Sequence, residues 1–256
     1  MRAARRGSWR LSVHEALAST SDLCRDRALA GEPAGLAVLA RRQTAGRGTK
    51  GRGWESPAGN LFLSVLLRPP GPAREAAQWA LLAAVALTDA LAPLLPDPRA
   101  LALKWPNDVL LHGRKLAGIL AESVTSADRA EFLVIGFGVN LAVAPALPDR
   151  PTACVAEVAA APAPEAFAPA LLDRLDDWAD VQAREGFAPV RAAWLARGPD
   201  SGAPIRLRLG PKTCAGTFAG LGPDGSLLLA EGGGVRAFVA GEVLAEGAET
   251  SGAGGG

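Results

Sequence analysis

Gly46-Arg47-Gly48-Thr49-Lys50-Gly51 places three glycines and two cations within six residues. Glycines let a backbone approach a ligand closely and turn its N–H groups toward an anion, whose charge the cations offset. The glycine spacing matches a dinucleotide-binding fingerprint and follows an apolar run. That fingerprint needs its third glycine to open a helix. Here Pro57 and the further glycines Gly53 and Gly59 bar a regular helix, so the dinucleotide reading fails. Residues 41–60 contain five basic residues and five glycines, with Glu55 the one acid. Such a long loop is either a phosphate cradle or a solvated basic segment; loops of this length in compact domains are usually functional.

A second cluster is Lys104-Trp105-Pro106-Asn107-Asp108, followed by Arg114-Lys115-Leu116-Ala117-Gly118. An ammonium at a strand start above small residues can meet a carboxylate or a phosphate. Strand alternation predicts Lys115 beside Ala117, with Leu116 and Gly118 on the opposite face. Surface exposure for Lys104, a turn position for Asp108 and a core position for Trp105 are the plain alternatives. The third cluster is Gly136-Phe137-Gly138-Val139-Asn140. Two glycines two apart on one strand face leave a flat groove, either for a flat ligand or for tight strand packing.

The elements that must position these groups follow from periodicity and punctuation. Ser19-Thr20-Ser21-Asp22 opens a short helix that stops near Gly31. Leu36–Ala40 and Leu61–Leu67 read as buried strands, and Pro72 starts an Ala/Leu-rich helix running to about Leu91. Leu101–Lys104 is a strand. Val109–Leu111 and Lys115–Ala121 flank a His112-Gly113 turn as a hairpin, and Phe132–Val139 is a further strand. Residues 164–196 form amphipathic helices with Leu171, Leu175, Trp178 and Trp194 inward. From Pro204 short alternating strands with turns at Gly210-Pro211, Pro223-Asp224-Gly225 and Gly232–Gly234 suggest a small β-barrel. The expected organisation is a catalytic domain over 1–199, a barrel over 200–246 and a flexible tail over 247–256.

Bulk properties exclude several classes. Net charge is +1 over 256 residues, so no strong general pull toward nucleic acid or membrane is expected. Cys24, Cys154 and Cys214 show neither metal-ligand spacing nor an even disulfide count. The basic N-terminus is followed by no apolar signal stretch, and no apolar run reads as a membrane span. A cytoplasmic protein is expected. The 27 basic residues are four lysines and 23 arginines. A lysine kept against that drift hints at a need for a compact ammonium.

Gly46-Arg47-Gly48 with Gly51-Arg52 and Trp54, Lys104–Asp108, Arg114–Leu120 and Gly136–Asn140, all in this order, resemble the biotin protein ligase family. The resemblance runs over nearly the whole chain. It implies an α+β fold: a mixed, largely antiparallel sheet flanked by helices, like class II aminoacyl-tRNA synthetases and biotin ligases, with a small C-terminal Src-homology-3-like β-barrel. It implies that biotin and Mg-ATP give biotinoyl-adenylate, and that a lysine of a biotin carboxyl carrier domain, from acetyl-CoA carboxylase or a related enzyme, then displaces AMP. Lys115 and Arg47 are the implied catalytic residues. Ser19, Thr20, Gln43, Gly46, Arg47, Lys115, Gly118 and Gly136 would bind biotin. Arg47, Lys50, Arg52, Trp54, Lys104, Asn107, Asp108 and Asn140 would serve ATP, and Asp108 would also hold Mg²⁺.

The chain departs from the family pattern in places. Thr49 stands where many members carry Arg or Lys, with Lys50 as a partial replacement, and Ser21 where Asn is common. The ligase pattern starts close to Met1, so no operator-DNA binding is expected, and the protein is expected to be a monomer or a homodimer. Two alternatives stay open: a lipoate or octanoate transferase on the same fold, and a non-catalytic anion- or nucleic-acid-binding module. The second would show salt-sensitive retention on DNA or RNA.

Overall fold

A computed structural model describes residues 9–72, 75–126, 129–148 and 150–244, without the side chains of residues 126 and 129. The expected tail lies outside the described residues. The chain order is β1 (Arg10–His14), α1 (Thr20–Leu29), β2 (Leu36–Ala40), β3 (Leu61–Leu67), α2 (Ala76–Leu91), β4 (Leu101–Lys104), β5 (Asp108–Leu111), β6 (Arg114–Ser126), β7 (Arg129–Val139), α3 (Pro164–Glu185), α4 (Ala188–Leu195) and β8 to β12. These last are Pro204–Leu209, Lys212–Leu221, Leu227–Glu231, Gly234–Phe238 and Glu242–Val243.

The first seven strands form one sheet in the order β1-β2-β3-β7-β6-β5-β4. Only β1 and β2 pair in parallel; the other neighbours are antiparallel. β3 is buried throughout because both its faces are covered. Leu61, Leu63, Val65 and Leu67 point into the large core shared with α2, α3 and α4. Leu66 packs with Cys24 and Ala28 of α1, in a smaller cluster completed by Val38, Phe132 and Val134. A strand buried on both faces reads as a continuous apolar run, which is why Leu61–Leu67 was legible.

α1 is ten residues long and covers only part of its face of the sheet. Beyond it, the strand alternation brings Gly136 and Gly138 of β7 to that face, and Gly118 pairs directly with Gly138. This strip of small residues is the floor on which the site is built. β6 carries a bulge: Val109 pairs with Ala117 but Leu110 pairs with Lys115, so Leu116 is the extra residue. The bulge corrects the simple alternation expected from the sequence. Leu116 and Ala117 are both fully buried in the core, while Lys115 turns to the face of Gly118, its Cε 3.4 Å from where a Gly118 Cβ would stand. Re-aiming one side chain beside a site is a recurrent use of β-bulges.

Helix α2 with its extension to Leu94 is long and apolar enough to cross a membrane by composition. Ten of its residues are buried in this core instead, between the sheet and α3 and α4. The second sheet has the order β11-β10-β9-β8-β12, with the short last strand returning beside the first, compatible with a Src-homology-3-like barrel. Its Phe218, Leu221, Leu227 and Leu229 join the same core as α2, and Trp105 Nε1 donates to Gly225 O at 3.1 Å. Strands β1 and β12 were not legible in the sequence: the first mixes charged and apolar residues at a sheet edge, and the second is two residues long.

Cys24 is fully buried, and burial pushes its thiol up to about 12 against a weaker backbone hydrogen bond. The thiolate is the reactive form. Cys24 is therefore expected to resist iodoacetamide at pH 8 in the native protein and to react on unfolding, as read by peptide mass spectrometry. Fast native modification of Cys24 would contradict this packing.

Candidate active site

The site is a cavity of about 390 Å³ on the α1 side of the main sheet, of the size that holds a small ligand. One end is lined by hydroxyls and an amide. Ser19 caps α1, its Oγ accepting from Asp22 N at 3.3 Å. Gln43 Oε1 accepts from Thr20 N at 2.9 Å and from Thr20 Oγ1 at 3.1 Å. The backbone donor fixes which way the Gln43 amide faces. Thr20 thus spends its proton on Gln43 and must accept at its 2.7 Å contact with Ser64 Oγ. Ser64 in turn accepts from Ser21 at 3.0 Å. The result is a directed chain of hydroxyls under the slot, with Gln43 Nε2 presented to Ser56 Oγ at 3.3 Å.

The middle is flat. A Cβ on Gly136 would sit 2.7 Å from Ser21 Oγ, and one on Gly138 would sit 2.4–2.6 Å from three atoms of the Trp54 indole. Trp54 thus lies on the Gly118–Gly138 pair. Its Nε1 and Arg47 Nε are buried donors without a hydrogen-bond partner, and both residues line the cavity. Donors of that kind are costly unless a ligand meets them.

The other end is cationic. Lys115 Nζ lies 2.6 Å from Asp108 Oδ1 and 5.4 Å from the Trp54 ring centroid. Lys104 Nζ lies 3.7 Å from Asp108 Oδ2. Burial holds the Lys104 ammonium below its ordinary value, and Asp108 offsets this only in part. Asn107 Nδ2 donates to Ile119 O at 2.7 Å, clamping the β4–β5 turn onto β6. For a metal, Asp108 is, among the described residues, the one carboxylate ion-paired with both lysines. Among the described residues no group of three or more His, Cys, Asp or Glu is placed to hold an ion. That donor set suits a Mg²⁺ carried mainly by phosphates and water.

The glycine-rich loop covers the slot as a hairpin: Trp54 N donates to Gly46 O at 2.8 Å and Gly48 N to Arg52 O at 2.7 Å. A Cβ at Gly46 would collide with Trp54 O at 2.6 Å, so that turn admits no side chain. Lys50 adopts a left-handed backbone (φ 59°) at the tip. Its ammonium and the Arg52 guanidinium reach Glu242 of β12 at 3.3 and 3.0 Å, where Arg208 (2.7 Å) and Arg150 (3.5 Å) also converge. Burial would raise the Glu242 carboxyl, but hydrogen bonds from Arg208 and Arg52 outweigh it and hold it at about 2. Its folded value lies below the ordinary glutamate value of about 4.3, so its stabilising contribution is complete above that pH and fades as pH falls toward 2. The ¹³C shift of the Glu242 carboxyl is expected to titrate with a midpoint near 2; a midpoint near 4 would contradict the four-cation cluster.

The structure gathers Ser19, Thr20, Gln43, Arg47, Lys50, Arg52, Trp54, Lys104, Asn107, Asp108, Lys115, Gly118 and Gly136 around one cavity. Gly46 stands just behind it. Asn140, expected to serve ATP, is not among the lining residues. It is 2% exposed, and its amide donates to Ala153 O at 3.1 Å and Lys115 O at 3.4 Å, so it braces the strand that carries Lys115. Sequence reasoning missed Ser64, Asp22, Glu122 and Glu242. Ser64 had a signal, the lone polar residue in Leu61–Leu67; Glu122 and Glu242 lie far along the chain from the basic loop they meet, and Asp22 reaches it from a separate helix.

Fold and cavity together join a hydroxyl- and amide-lined end to a lysine-lined end across a floor of glycines. A model of the Biotin/lipoate A/B protein ligase family matches residues 13–140. A Paracoccus denitrificans biotin–[acetyl-CoA-carboxylase] ligase is 43% identical over 215 residues, 81% of this chain and 89% of that protein. The biotin protein ligase of Aquifex aeolicus, solved in complex with biotin and ATP, superposes with TM-score 0.77 at 26% identity, covering 91% of this chain and 97% of that one. The Leishmania major enzyme with biotinyl-5-AMP gives 0.63 at 28% identity, over 90% and 98%. The chain belongs to the biotin/lipoate A/B protein ligase family, on its biotin protein ligase side.

Proposed function

We propose that the chain activates biotin with ATP to biotinoyl-5′-AMP and transfers biotin to one lysine of a biotin carboxyl carrier domain. The observation that carries this is the polarity of the slot: hydroxyls and an amide at one end, lysines at the other. A ureido ring presents two donors and one acceptor, which suits Ser19, Thr20, Ser21 and Gln43. A dithiolane or an alkyl chain would use none of the spare hydrogen-bonding capacity of those groups, which speaks against lipoate or octanoate.

Carboxylate and α-phosphate repel, so their approach needs a cation between them. Lys115 is that cation. Its partner in the free protein, Asp108, stands in for the ligand anions, and Lys104 stays beside Asp108 when Lys115 turns to the substrates. Lys50, Arg52, Trp54 and Asn107 border the nucleotide end. Asp108 would hold Mg²⁺ together with the phosphates, and the metal would supply charge compensation to the leaving pyrophosphate. The loop from Gly46 to Trp54 excludes water from the mixed anhydride. In the second half-reaction the neutral acceptor amine forms a C–N bond as the carbonyl–phosphate C–O bond breaks, AMP leaves with the bonding electron pair, and the amine gives up one proton to solvent.

The carrier is a biotin-accepting domain of acetyl-CoA carboxylase or a related enzyme. In this reading the ligase acts in the cytoplasm, which suits its three free cysteines, and works as a monomer or homodimer. DNA is not a partner in this reading, because a net charge of +1 gives the chain no general pull toward a polyanion. ATP–pyrophosphate exchange tests the first half-reaction. Exchange should depend on biotin, and exchange driven by lipoate but not biotin would overturn the assignment.

A further inference from the structure

The cover loop is tied at its root to the sheet and to α1 by an ion-pair cluster centred on Arg47. The Arg47 guanidinium forks onto Glu122 of β6, Nη1 to Oε1 at 2.8 Å and Nη2 to Oε2 at 2.6 Å. Nη2 also lies 2.9 Å from Asp22 Oδ1 of α1. Two carboxylates from two elements converge on one cation, and the cluster is left net negative. A guanidinium meant for an anionic ligand is poorly served by this arrangement. The ligand would have to break a bidentate pair, among the stronger charge-assisted contacts, and then sit beside two carboxylates. The Glu122 bonds in turn raise the Arg47 pKa further. The backbone of Arg47 also bridges Gly53 across the loop, so whatever holds Arg47 holds both strands of the hairpin.

We infer that Glu122 and Asp22 are positioning residues that staple the root of the cover loop, through Arg47, to β6 and α1. The forked end of Arg47 then holds the cover down and does not carry the reacting anion. The staple keeps Trp54 seated on Gly118 and Gly138. The inference deepens the ligase reading and rests on it only for its second readout.

The first readout needs no activity: tryptic cleavage after Lys50 and Arg52 in the free, full-length protein, followed by mass spectrometry. Glu122→Gln should speed that cleavage about threefold to tenfold, the range of a part-exposed bidentate pair, and Asp22→Asn by less. Arg47→Ala should match the double Asp22→Asn/Glu122→Gln variant, and adding it to that variant should change nothing more. The second readout is the lifetime of enzyme-bound biotinoyl-adenylate. Glu122→Gln should shorten it by the same factor while pyrophosphate release at saturating substrates stays within about twofold. Unchanged cleavage in both carboxylate variants would overturn the staple. So would a longer adenylate lifetime in Glu122→Gln, the result expected if freeing Arg47 strengthened its grip on ligand. Thermal unfolding of each variant separates loop opening from global loss of fold. A wild-type protein that makes no adenylate but shows the predicted cleavage pattern would support the staple and refute the ligase reading.

Discussion

Lys115→Ala is expected to lower biotin-dependent pyrophosphate release by about a thousandfold or more, on the scale of losing a charge-stabilising donor in a water-poor site (~4 kcal/mol). The bulge at Leu116 turns Lys115 into the slot, and its ammonium is the cation closest to Asp108 at 2.6 Å. The fold should survive, because Lys104 remains to face Asp108 and the strand is held by its backbone ladder and by Asn140. Lys115→Arg should recover little. A planar guanidinium cannot reproduce a compact ammonium wedged between Asp108 and the Trp54 ring. A Lys115→Ala protein that releases pyrophosphate at a near-native rate, measured by a coupled assay, would remove Lys115 from the chemistry.

Gly136→Val should raise the KM for biotin about a hundredfold or more with a smaller effect on the KM for ATP. Gly136 lies mid-strand opposite Leu120 and Ser64, without a left-handed backbone, so a β-branched residue fits the strand itself. Its side chain, however, would project into the hydroxyl end of the slot, where a Cβ alone would stand 2.7 Å from Ser21 Oγ. The ring of the acid would lose both its floor and the ordered Ser21–Ser64–Thr20 chain. Isothermal titration with biotin alone reads this directly. Unchanged biotin affinity with a stable fold would mean that the ligand lies elsewhere in the cavity.

Much of the positioning frame was legible because its signals are local. The apolar run Leu61–Leu67, the His112-Gly113 turn and the Ser19 cap each declare an element within a few residues. The site residues were legible as types, a glycine-rich loop, retained lysines and paired glycines, but not as contacts. Two kinds of information escaped. The bulge that re-aims Lys115 depends on register with β5, which strand alternation alone cannot reveal. The counter-charges of the loop sit 75 residues away at Glu122 and 190 or more at Glu242, so only the fold brings them to Arg47, Arg52 and Lys50. Asn140 shows the converse: a polar residue beside a glycine pair, whose amide donates to the backbone carbonyls of Lys115 and Ala153.

In the proposed reaction the slot between Thr20 and Lys115 builds an activated biotin for one lysine of a carrier domain. Incubation of the protein with a purified biotin carboxyl carrier domain, ATP, Mg²⁺ and equimolar biotin and lipoate, followed by intact-mass and peptide mass spectrometry, tests it most directly. A single addition of a biotinyl group at one carrier lysine, lost in Lys115→Ala, is the predicted result. Lipoylation of the carrier, or no modification with wild-type protein, would contradict it.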